Sequence, residues 1–387
     1  MNTRIAIDLG ATSGRIIIGN ASGELQETFR FPTPLLRKEN GIFWDFPALM
    51  SSVIEGLAAL PASAGPFISI SCDSWAQDFG LIDIRGKLLA LPYSYRDTSS
   101  DLHSGPRLSF IRKSNPELYD KAVHLLHIAD LVHFNLCGEA RTNYTLAAIS
   151  RLPLNHPLLA PIADAEVIGT VNHPKLPNLN GVPVVSGAGH DTAAAYVSGS
   201  PKQGEAFISL GTWYMAAAPW QDGVPIPEGF GPLPLPMKKL ARTCGGMGMW
   251  PFEQCLKIWK ERGEFTGYET LTNDAIAAKA DGSISPQAKE LYAPENMEEA
   301  IFALLGYKAT PAQITKMLFN GLARDLGDAM RSFNEHFKNV IVAGGPTDNP
   351  YLMRLIQEQL PCKLTIGRRE AATFGNLIVQ EQVLKGH

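Results

Sequence analysis

A glycine-flanked turn near the N-terminus has the residue types that a phosphate-binding loop requires. The segment Gly10-Ala-Thr-Ser-Gly14 places small hydroxyl side chains between two glycines. Backbone amides and hydroxyls that point into such a bend form a concavity suited to phosphate. The candidate phosphate-binding residues are therefore Ala11, Thr12, Ser13, Gly14 and Arg15, of which Arg15 adds a positive charge.

Asp8 precedes this turn at the end of a predicted strand. A carboxylate in that position is placed to hold a magnesium ion through water. Mg²⁺ prefers oxygen ligands and usually keeps part of its water shell. The alternative is an ordinary hairpin turn in which Asp8 hydrogen-bonds its own loop.

A second turn of the same design occurs in the other half of the chain. Leu210-Gly211-Thr212 repeats the pattern of a strand that ends in Leu-Gly before a threonine turn, and Gly211 lies 201 positions after Gly10. A repeat at this distance predicts two lobes of similar design. Gly211 and Thr212 are then a second phosphate loop, although so short a pattern also arises by chance.

The segment Gly187-Ala-Gly-His-Asp-Thr192 follows a short buried strand and opens an alanine-rich helix. A carboxylate at such a junction can accept the proton of a hydroxyl that attacks phosphorus. Asp191 is therefore the candidate catalytic base, and His190 beside it is a candidate substrate ligand. The alternative is that Asp191 only caps the helix, which is a frequent use of aspartate.

A polar cluster between two apolar strands has the composition of a polyol-binding site. Such a site needs an aromatic face for C–H groups and carboxylate or amide acceptors for hydroxyls. If the segment is extended, alternate residues point to opposite sides. Arg96, in Tyr95-Arg-Asp97, belongs to a second polar cluster, and the alternative is a polar hairpin around a core tryptophan. The candidate substrate residues of the first cluster are Asp73, Trp75, Ala76, Gln77 and Asp78.

Gly344-Gly345 ends an apolar strand and allows a flat base or ribose to pack against bare backbone. Asn349 follows and can cap a helix that has Pro350 at its first position. These three residues, Gly344, Gly345 and Asn349, are the candidate nucleoside segment. The chain has neither a G-x-x-x-x-G-K-[ST] loop nor a G-x-G-x-x-G fingerprint, so P-loop and dinucleotide-binding Rossmann proteins are disfavoured.

The elements that must position these residues indicate an α/β protein. Strand patterns alternate with helical patterns in both halves, and apolar spacing predicts one helix over Pro116 to Cys137. A length of 387 residues suits two domains. We expect the first lobe at residues 1–198 and the second at residues 199–387.

Composition excludes several classes of partner. The formal net charge of -4 and the lack of a Lys/Arg block argue against nucleic acid and anionic membrane. Five scattered cysteines favour free thiols over disulfides or a zinc site. No apolar run reaches membrane-spanning length, and no signal-peptide pattern is present. We expect a cytoplasmic protein, monomeric or homodimeric, that binds small molecules.

The order of the motifs resembles the FGGY family of carbohydrate kinases, and within it the L-rhamnulose kinases. The resemblance runs over nearly the whole chain and rests on IDLGATSGR, SCDSWAQDFGLID, YRDTSS, GAGHDTAAA, SLGTW and VAGG in this order. It implies two actin-like, ribonuclease H-like lobes with a cleft between them. The implied substrates are ATP, used with Mg²⁺, and a ketose.

The resemblance also implies roles for individual residues. Asp191 would be the base, Asp8 would hold magnesium, and Gly344 and Gly345 would contact adenosine. The implied reaction is transfer of the γ-phosphoryl group to L-rhamnulose, which gives L-rhamnulose 1-phosphate.

Two departures from the motifs affect the substrate and the nucleotide. Ala76-Gln77 stands where L-rhamnulose kinases usually carry Gly-Val, and Pro346 replaces a small residue. Another ketose or polyol such as L-fuculose therefore stays open as the substrate. Two different classes of protein also stay open, namely a non-catalytic sugar-binding relative and an actin-like or chaperone-like ATPase.

Overall fold

Strands and helices alternate along the chain, which confirms the predicted α/β class. The computed structural model describes residues 3–20, 22–97, 101, 103–221, 223–265 and 267–386. The strands are β1 (Thr3–Leu9), β2 (Ser13–Gly19), β3 (Leu25–Pro32), β4 (Leu35–Lys38), β5 (Gly41–Trp44), β6 (Phe67–Ser74), β7 (Phe79–Ile82), β8 (His124–His127), β9 (Thr142–Asn143), β10 (Ile162–Ala163), β11 (Glu166–Thr170), β12 (Pro183–Ser186), β13 (Glu205–Leu210), β14 (Trp213–Trp220), β15 (Gly231–Leu235), β16 (Lys239–Met247), β17 (Asn339–Ala343) and β18 (Lys363–Ile366).

The helices vary from one turn to six turns. They are α1 (Phe46–Ala58), α2 (Ser104–Ser114), α3 (Pro116–Lys121), α4 (Ile128–Cys137), α5 (Tyr144–Ala147), α6 (Asp191–Gly199), α7 (Trp250–Glu261), α8 (Tyr268–Ala277), α9 (Met297–Leu305), α10 (Pro311–Ser332), α11 (Pro350–Gln359) and α12 (Ala371–Lys385). In the part of the chain that the structure describes, none of them has the length and apolar character of a membrane span.

The chain forms two compact units whose bounds differ in part from the predicted lobes. The first unit comprises Met1–Ser198, Pro232–Ala241 and Ala372–His387, and the second comprises Gly199–Gly231 and Arg242–Ala371. The predicted boundary after residue 198 places the chain's last helix, α12, in the second lobe. Hydrogen bonds explain its place in the first unit, because Gln380 of α12 donates to the carbonyl of Ile5 in β1 and accepts from Ser69 in β6.

The sheet of the first unit brings polar residues to one edge. Its strand order is β11-β12-β6-β1-β2-β3, in which β1 pairs antiparallel with β2 and parallel with β6, and β6 pairs parallel with β12. Fully buried residues such as Ile5, Ile7 and Ile70 fill its core. Ligands of α/β sheets bind at the carboxyl ends of parallel strands. Asp8 on β1 and Asp73 on β6 both lie at that edge.

The second six-stranded sheet has the same arrangement at its centre. Its order is β15-β16-β14-β13-β17-β18, in which β13 pairs antiparallel with β14 and parallel with β17. The two Leu-Gly turns therefore occupy equivalent places, each between the central strand and its antiparallel partner. The core of the second unit includes buried residues of α10 such as Leu318 and Leu322, and Thr310 caps that helix in a capping box with Gln313.

The predicted single helix over Pro116 to Cys137 is wrong. The structure has α3, then strand β8, then α4 in this range. Leu125 and Leu126 lie in β8, where they pair with Leu81 and Gly80 of β7. Their helical spacing arose because β8 is buried on both faces, and strand pairing then overrides a spacing that fits either element.

Candidate active site

Two carboxylates face each other across neighbouring strands at the polar edge of the first sheet. Asp8 of β1 is paired in register with Asp73 of β6, and both side chains are buried. Asp8 Oδ2 accepts hydrogen bonds from Arg15 Nη2 at 2.6 Å and from Thr373 Oγ1 at 2.8 Å. The alternative that Asp8 hydrogen-bonds its own hairpin is thus partly correct, since Arg15 belongs to β2.

Asp73 carries an oxygen atom for which the described residues provide no partner. Its Oδ2 accepts from Asn376 Nδ2 at 2.6 Å, whereas its buried Oδ1 has no hydrogen-bond partner. Burial raises the pKa of Asp73 well above its usual range, and the neighbouring charge of Asp8 raises it further. A buried carboxyl oxygen of this kind is costly unless a ligand, ion or proton satisfies it.

The candidate base lies in the same unit, at the first residue of α6. Burial first, and the charge of Asp8 second, raise the pKa of Asp191 to about 7. A third of its side-chain surface nevertheless stays accessible. Its carboxylate accepts from Thr192 Oγ1 at 3.1 Å. A carboxyl that is both accessible and poised near neutral pH suits proton transfer.

His190 is held beside Asp191 in a neutral form. Its backbone N–H donates to Thr145 Oγ1 at 3.1 Å, and its Nε2 lies 3.5 Å from Asp191 Oδ1. Burial lowers the pKa of His190 to about 4. Its Nδ1 is buried without a partner among the described residues, so the ring keeps an unused polar atom.

The Trp75 segment is a turn and not an extended strand. β6 ends at Ser74, and Gln77 has a φ of 76°, which ends the alternation of sides that an extended segment has. The Gln77 amide donates to the carbonyl of Ile149 at 3.2 Å and accepts from the Ser104 N–H at 3.2 Å. Ala76 is half-buried against the core of the unit. The Gln77 side chain is therefore engaged within the protein.

Asp78 organises a buried group of aromatic residues. Its Oδ2 accepts from Trp44 Nε1 at 2.6 Å, from Trp75 Nε1 at 2.8 Å and from the Tyr95 N–H at 3.1 Å. The two indole rings pack 4.3 Å apart between centroids. Burial raises the pKa of Asp78 to about 7 in spite of these donors. This geometry makes Asp78 a support for Trp75.

A cavity of about 130 Å³ adjoins this turn. Gln77, Asp78, Tyr93 and Arg107 line it together with apolar residues of β7, α2 and α3. Asp73, Trp75 and Asp191 are not among the residues that line it. The predicted polyol cluster is thus split between two environments, with Asp73 beside Asp8 and with Gln77 and Asp78 at this cavity.

The first candidate phosphate loop is a tight turn whose carbonyl oxygens accept hydrogen bonds from a residue outside the turn. Thr33 donates its N–H to the carbonyl of Thr12 and its hydroxyl to the carbonyl of Gly10. The side chain of Thr12 is exposed. Arg96 reaches this loop, since its Nη2 lies 3.3 Å from the carbonyl of Ala11. The same guanidinium lies 5.7 Å from the centroid of the Trp44 ring, so Arg96, which the sequence motifs predict at the sugar, borders both the aromatic group and the candidate phosphate loop.

Packing leaves no room for a side chain at Gly14 of that loop. A Cβ atom at this position would lie 2.4 Å from the ring of Phe31. The guanidinium of Arg15 forms a salt bridge with Asp8, in which Nη2 lies 2.6 Å from Oδ2. These contacts leave Thr12 and Ser13, between the two glycines, as the phosphate-facing candidates of the turn.

The second candidate loop lies at the N-terminus of α7 in the second unit. The N–H groups of Gly248 and Trp250 donate to the carbonyl of Thr212. Thr212 Oγ1 donates to Glu253 Oε2 at 3.0 Å. This contact fixes the hydroxyl of Thr212, and no motif of the sequence pointed to a role for Glu253.

The paired glycines lie beside this loop because β13 and β17 are parallel neighbours. A Cβ atom on Gly344 would lie 2.0 Å from the carbonyl oxygen of Leu210, and its φ is 116°. A Cβ atom on Gly345 would meet nothing within 4 Å. Gly344 is therefore required by the fold, whereas Gly345 borders open space. Asn349 caps α11 as predicted, with Oδ1 accepting from the Leu352 N–H at 3.0 Å.

Helix α12 contributes to the carboxylates in a way that the sequence motifs do not predict. Thr373 and Asn376 donate to Asp8 and Asp73 respectively. The sequence feature that could have revealed this helix is a set of polar residues on one side of an otherwise apolar helical segment, namely Thr373, Asn376 and Gln380. In the described residues no group of three or more His, Cys, Asp or Glu side chains is close enough to hold a metal ion directly.

The chain was compared with models of protein families, with curated proteins and with solved structures. Models of protein families gave no match to the chain. A rhamnulokinase of Bacteroides thetaiotaomicron is 27% identical over 97% of this chain and 89% of its own length. A rhamnulokinase of Oceanobacillus iheyensis is also 27% identical, over 97% of this chain and 92% of its own length.

Solved structures of sugar kinases share the fold. Gluconate kinase from Lactobacillus acidophilus has a TM-score of 0.77 and 14% identity, and the match covers 100% of this chain and 90% of that one. Glycerol kinase from Plasmodium falciparum, solved with ADP, has a TM-score of 0.78 and 15% identity at the same coverage. With the motif order, these similarities confirm that the chain is a relative of the FGGY carbohydrate kinases.

Proposed function

We propose that the protein is an ATP-dependent kinase that transfers the γ-phosphoryl group to a hydroxyl of a ketose. The observation that carries the proposal is Asp191, an accessible carboxyl whose pKa is raised to about 7 at the start of α6. A general base works best when its pKa lies near the working pH. A residue that only capped a helix would need neither the raised pKa nor the adjacent buried carboxylates.

In the reaction, Asp191 accepts the proton of the attacking sugar hydroxyl. The sugar oxygen forms a bond to the γ-phosphorus, the bond from that phosphorus to the β,γ-bridging oxygen breaks, and ADP leaves with the electron pair. The neutral ring of His190 orients the hydroxyl by a hydrogen bond from a ring nitrogen. The proton stays on Asp191 until the product leaves.

The residues of the first unit fit a magnesium ion held through water. Asp8 and Asp73 place two carboxylates in register, and Asp73 Oδ1 is buried and unsatisfied among the described residues. Mg²⁺ is commonly bound by one or two carboxylates together with waters and substrate phosphates. Bound there, the ion would neutralise phosphate charge. Asp8 is the residue that we propose for this role.

We assign the phosphates to the two threonine turns. Thr12 and Ser13 offer hydroxyls in the first unit, and Arg96 adds a guanidinium beside them. In the second unit Gly211 and Thr212 form the other turn, and the open space at Gly345 accommodates the adenosine. Asn349 supports this segment by capping α11.

L-Rhamnulose is the proposed substrate and L-rhamnulose 1-phosphate the product. The support is the name of the curated relatives, which resemble this chain over nearly its whole length. The pocket departs from the usual motif at Ala76 and Gln77. Since the Gln77 amide is bound to Ser104 and Ile149, the added methyl group of Ala76 is the part of this departure to which we assign an effect on the choice of sugar. L-Fuculose is the second candidate substrate because of this departure.

The proposal includes a cytoplasmic location and a monomer or homodimer as the working form. Free cysteines are typical of reducing compartments. All five cysteines of this chain are unpaired in the structure.

A coupled ADP-release assay tests the proposal. The wild-type protein, ATP and Mg²⁺ are combined with a panel of ketoses and polyols, and Asp191→Asn serves as the matched variant. We expect sugar-dependent ADP formation, highest with L-rhamnulose, and its loss in Asp191→Asn. A wild-type rate that no sugar raises would refute the kinase assignment and favour a non-catalytic sugar-binding protein.

A further inference from the structure

Helix α12 presents a line of buried polar side chains to the interior of the first unit. Thr373, Asn376 and Gln380 follow each other at spacings of three and four, which places them on one face of a helix. All three are fully buried. Buried polar residues are stable only where they are hydrogen-bonded, so their partners identify what this face serves.

Two of these residues donate directly to the carboxylates of the candidate site. Thr373 Oγ1 lies 2.8 Å from Asp8 Oδ2, and Asn376 Nδ2 lies 2.6 Å from Asp73 Oδ2. A buried donor and acceptor that lose each other are costly to leave unpaired, so such a bond holds both groups in place. Each bond therefore fixes the orientation of one carboxylate.

Gln380 fixes the helix and the amide orientation of Asn376. Its Oε1 accepts from Ser69 Oγ at 2.6 Å, and its Nε2 donates to the carbonyl of Ile5 at 3.0 Å. The same Nε2 donates to Asn376 Oδ1 at 2.8 Å. Because that oxygen is occupied as an acceptor, the NH₂ group of Asn376 is turned to Asp73.

A glycine in the same helix allows close contact with α6. A Cβ atom on Gly375 would lie 1.7 Å from the carbonyl oxygen of Ala194. Ala194 donates its N–H to the carbonyl of His190, so it belongs to the first turn of α6, which Asp191 opens. One helix thus contacts Asp8, Asp73 and the backbone that carries Asp191.

We propose that Thr373 and Asn376 are positioning residues of the phosphoryl-transfer site, which act by holding the carboxylates of Asp8 and Asp73. This inference rests on the proposed function. It explains why a helix from the end of the chain is built into the first unit through polar contacts. Among the described residues, loss of Thr373 leaves the Asp8 carboxylate held by Arg15 alone, and loss of Asn376 removes the side-chain donor of Asp73. In both cases the carboxylate is less firmly oriented for transfer.

The test compares Thr373→Val, which removes the hydroxyl at nearly constant volume, with Thr373→Ser, which keeps it. Thr315→Val is the matched control, because Thr315 is also buried and donates its hydroxyl to the Pro311 carbonyl of α10 in the second unit. Thermal unfolding of all three variants checks that they fold. We expect Thr373→Val to lower kcat by about 10- to 100-fold, the scale of a misplaced catalytic group. Thr373→Ser restores most of it, and Thr315→Val keeps the wild-type kcat.

A second measurement keeps the inference separate from the kinase assignment. The affinity for ADP is measured by calorimetry with Mg²⁺ and with EDTA. We expect Thr373→Val to lose most of the Mg²⁺-dependent part of this affinity, and Thr373→Ser and Thr315→Val to retain it. If wild-type protein phosphorylates no sugar, the proposed function fails and the ADP measurement alone decides the positioning role. Thr373→Val with wild-type kcat and wild-type Mg²⁺-dependent affinity would overturn the inference.

Discussion

The raised pKa of Asp191 predicts a specific dependence of activity on pH. Burial and the charge of Asp8 raise this pKa to about 7. The base must be ionised to accept a proton, so activity depends on the deprotonated fraction. With a pKa of about 7, that fraction is about one tenth at about pH 6 and about nine tenths at about pH 8. We therefore expect kcat/KM for the sugar to rise about tenfold over this range and then to level off.

The assay is direct measurement of ADP by chromatography of quenched reactions, since coupling enzymes have pH dependences of their own. The wild-type profile is compared with that of Asp191→Asn, which has no carboxyl to ionise. Removal of a general base lowers the rate by about 10²- to 10⁴-fold. The residual activity of Asp191→Asn is expected not to rise with pH near neutrality. A wild-type limb near the ordinary aspartate pKa of about 3.9 would refute the argument from burial.

The raised pKa of Asp191 also predicts how the free energy of unfolding changes with pH. Asp191 binds its proton more tightly in the folded protein than in the unfolded chain, because its folded pKa is raised to about 7. Unfolding free energy therefore falls as pH rises from the unfolded pKa to the folded pKa. Asp191→Asn removes this penalty. It is expected to raise the midpoint of thermal unfolding at about pH 8 more than at about pH 5, and an equal change at both values would contradict this.

Four substitutions test other parts of the structure. Gly344→Ala is expected to lower the midpoint of thermal unfolding by steric clash, whereas Gly345→Ala is expected to fold normally and to raise the KM for ATP; equal stability of the two variants would contradict the assignment. Ala76→Gly, which restores the glycine of the usual Gly-Val pair, is expected to raise kcat/KM for L-rhamnulose relative to L-fuculose, and an unchanged ratio would show that this methyl group does not select the sugar. Asp78→Ala removes the acceptor for two indole N–H groups and one backbone N–H, and each lost buried hydrogen bond costs about 1 kcal/mol. We expect a lower free energy of unfolding in urea and altered fluorescence of Trp75, and wild-type values of both would contradict the supporting role.

The sequence was sufficient to predict the fold class and the positions of the central strands. Alternating strand and helix patterns predicted an α/β protein, and the repeat of Leu9-Gly10 at Leu210-Gly211 marks equivalent turns of two similar sheets. These features are local, since a turn and its flanking strands are encoded by adjacent residues. Asn349 as a helix cap was predicted for the same reason.

Contacts between distant residues could not be obtained from local patterns. Leu125 and Leu126 have helical spacing, and only pairing with β7 makes them a strand. The bonds from Thr373 to Asp8 and from Asn376 to Asp73 join residues that are 365 and 303 positions apart in the chain. The engagement of Asp78 with three donors likewise depends on the fold and not on the spacing of its own segment.

Transfer of the phosphoryl group from ATP to a sugar is the central claim. The direct test supplies ATP with a radioactive γ-phosphate, Mg²⁺ and L-rhamnulose, and then separates the products. We predict that the label moves to the sugar with wild-type protein and stays in ATP with Asp191→Asn. Label that appears only as inorganic phosphate, at the same rate with and without sugar, would contradict the claim.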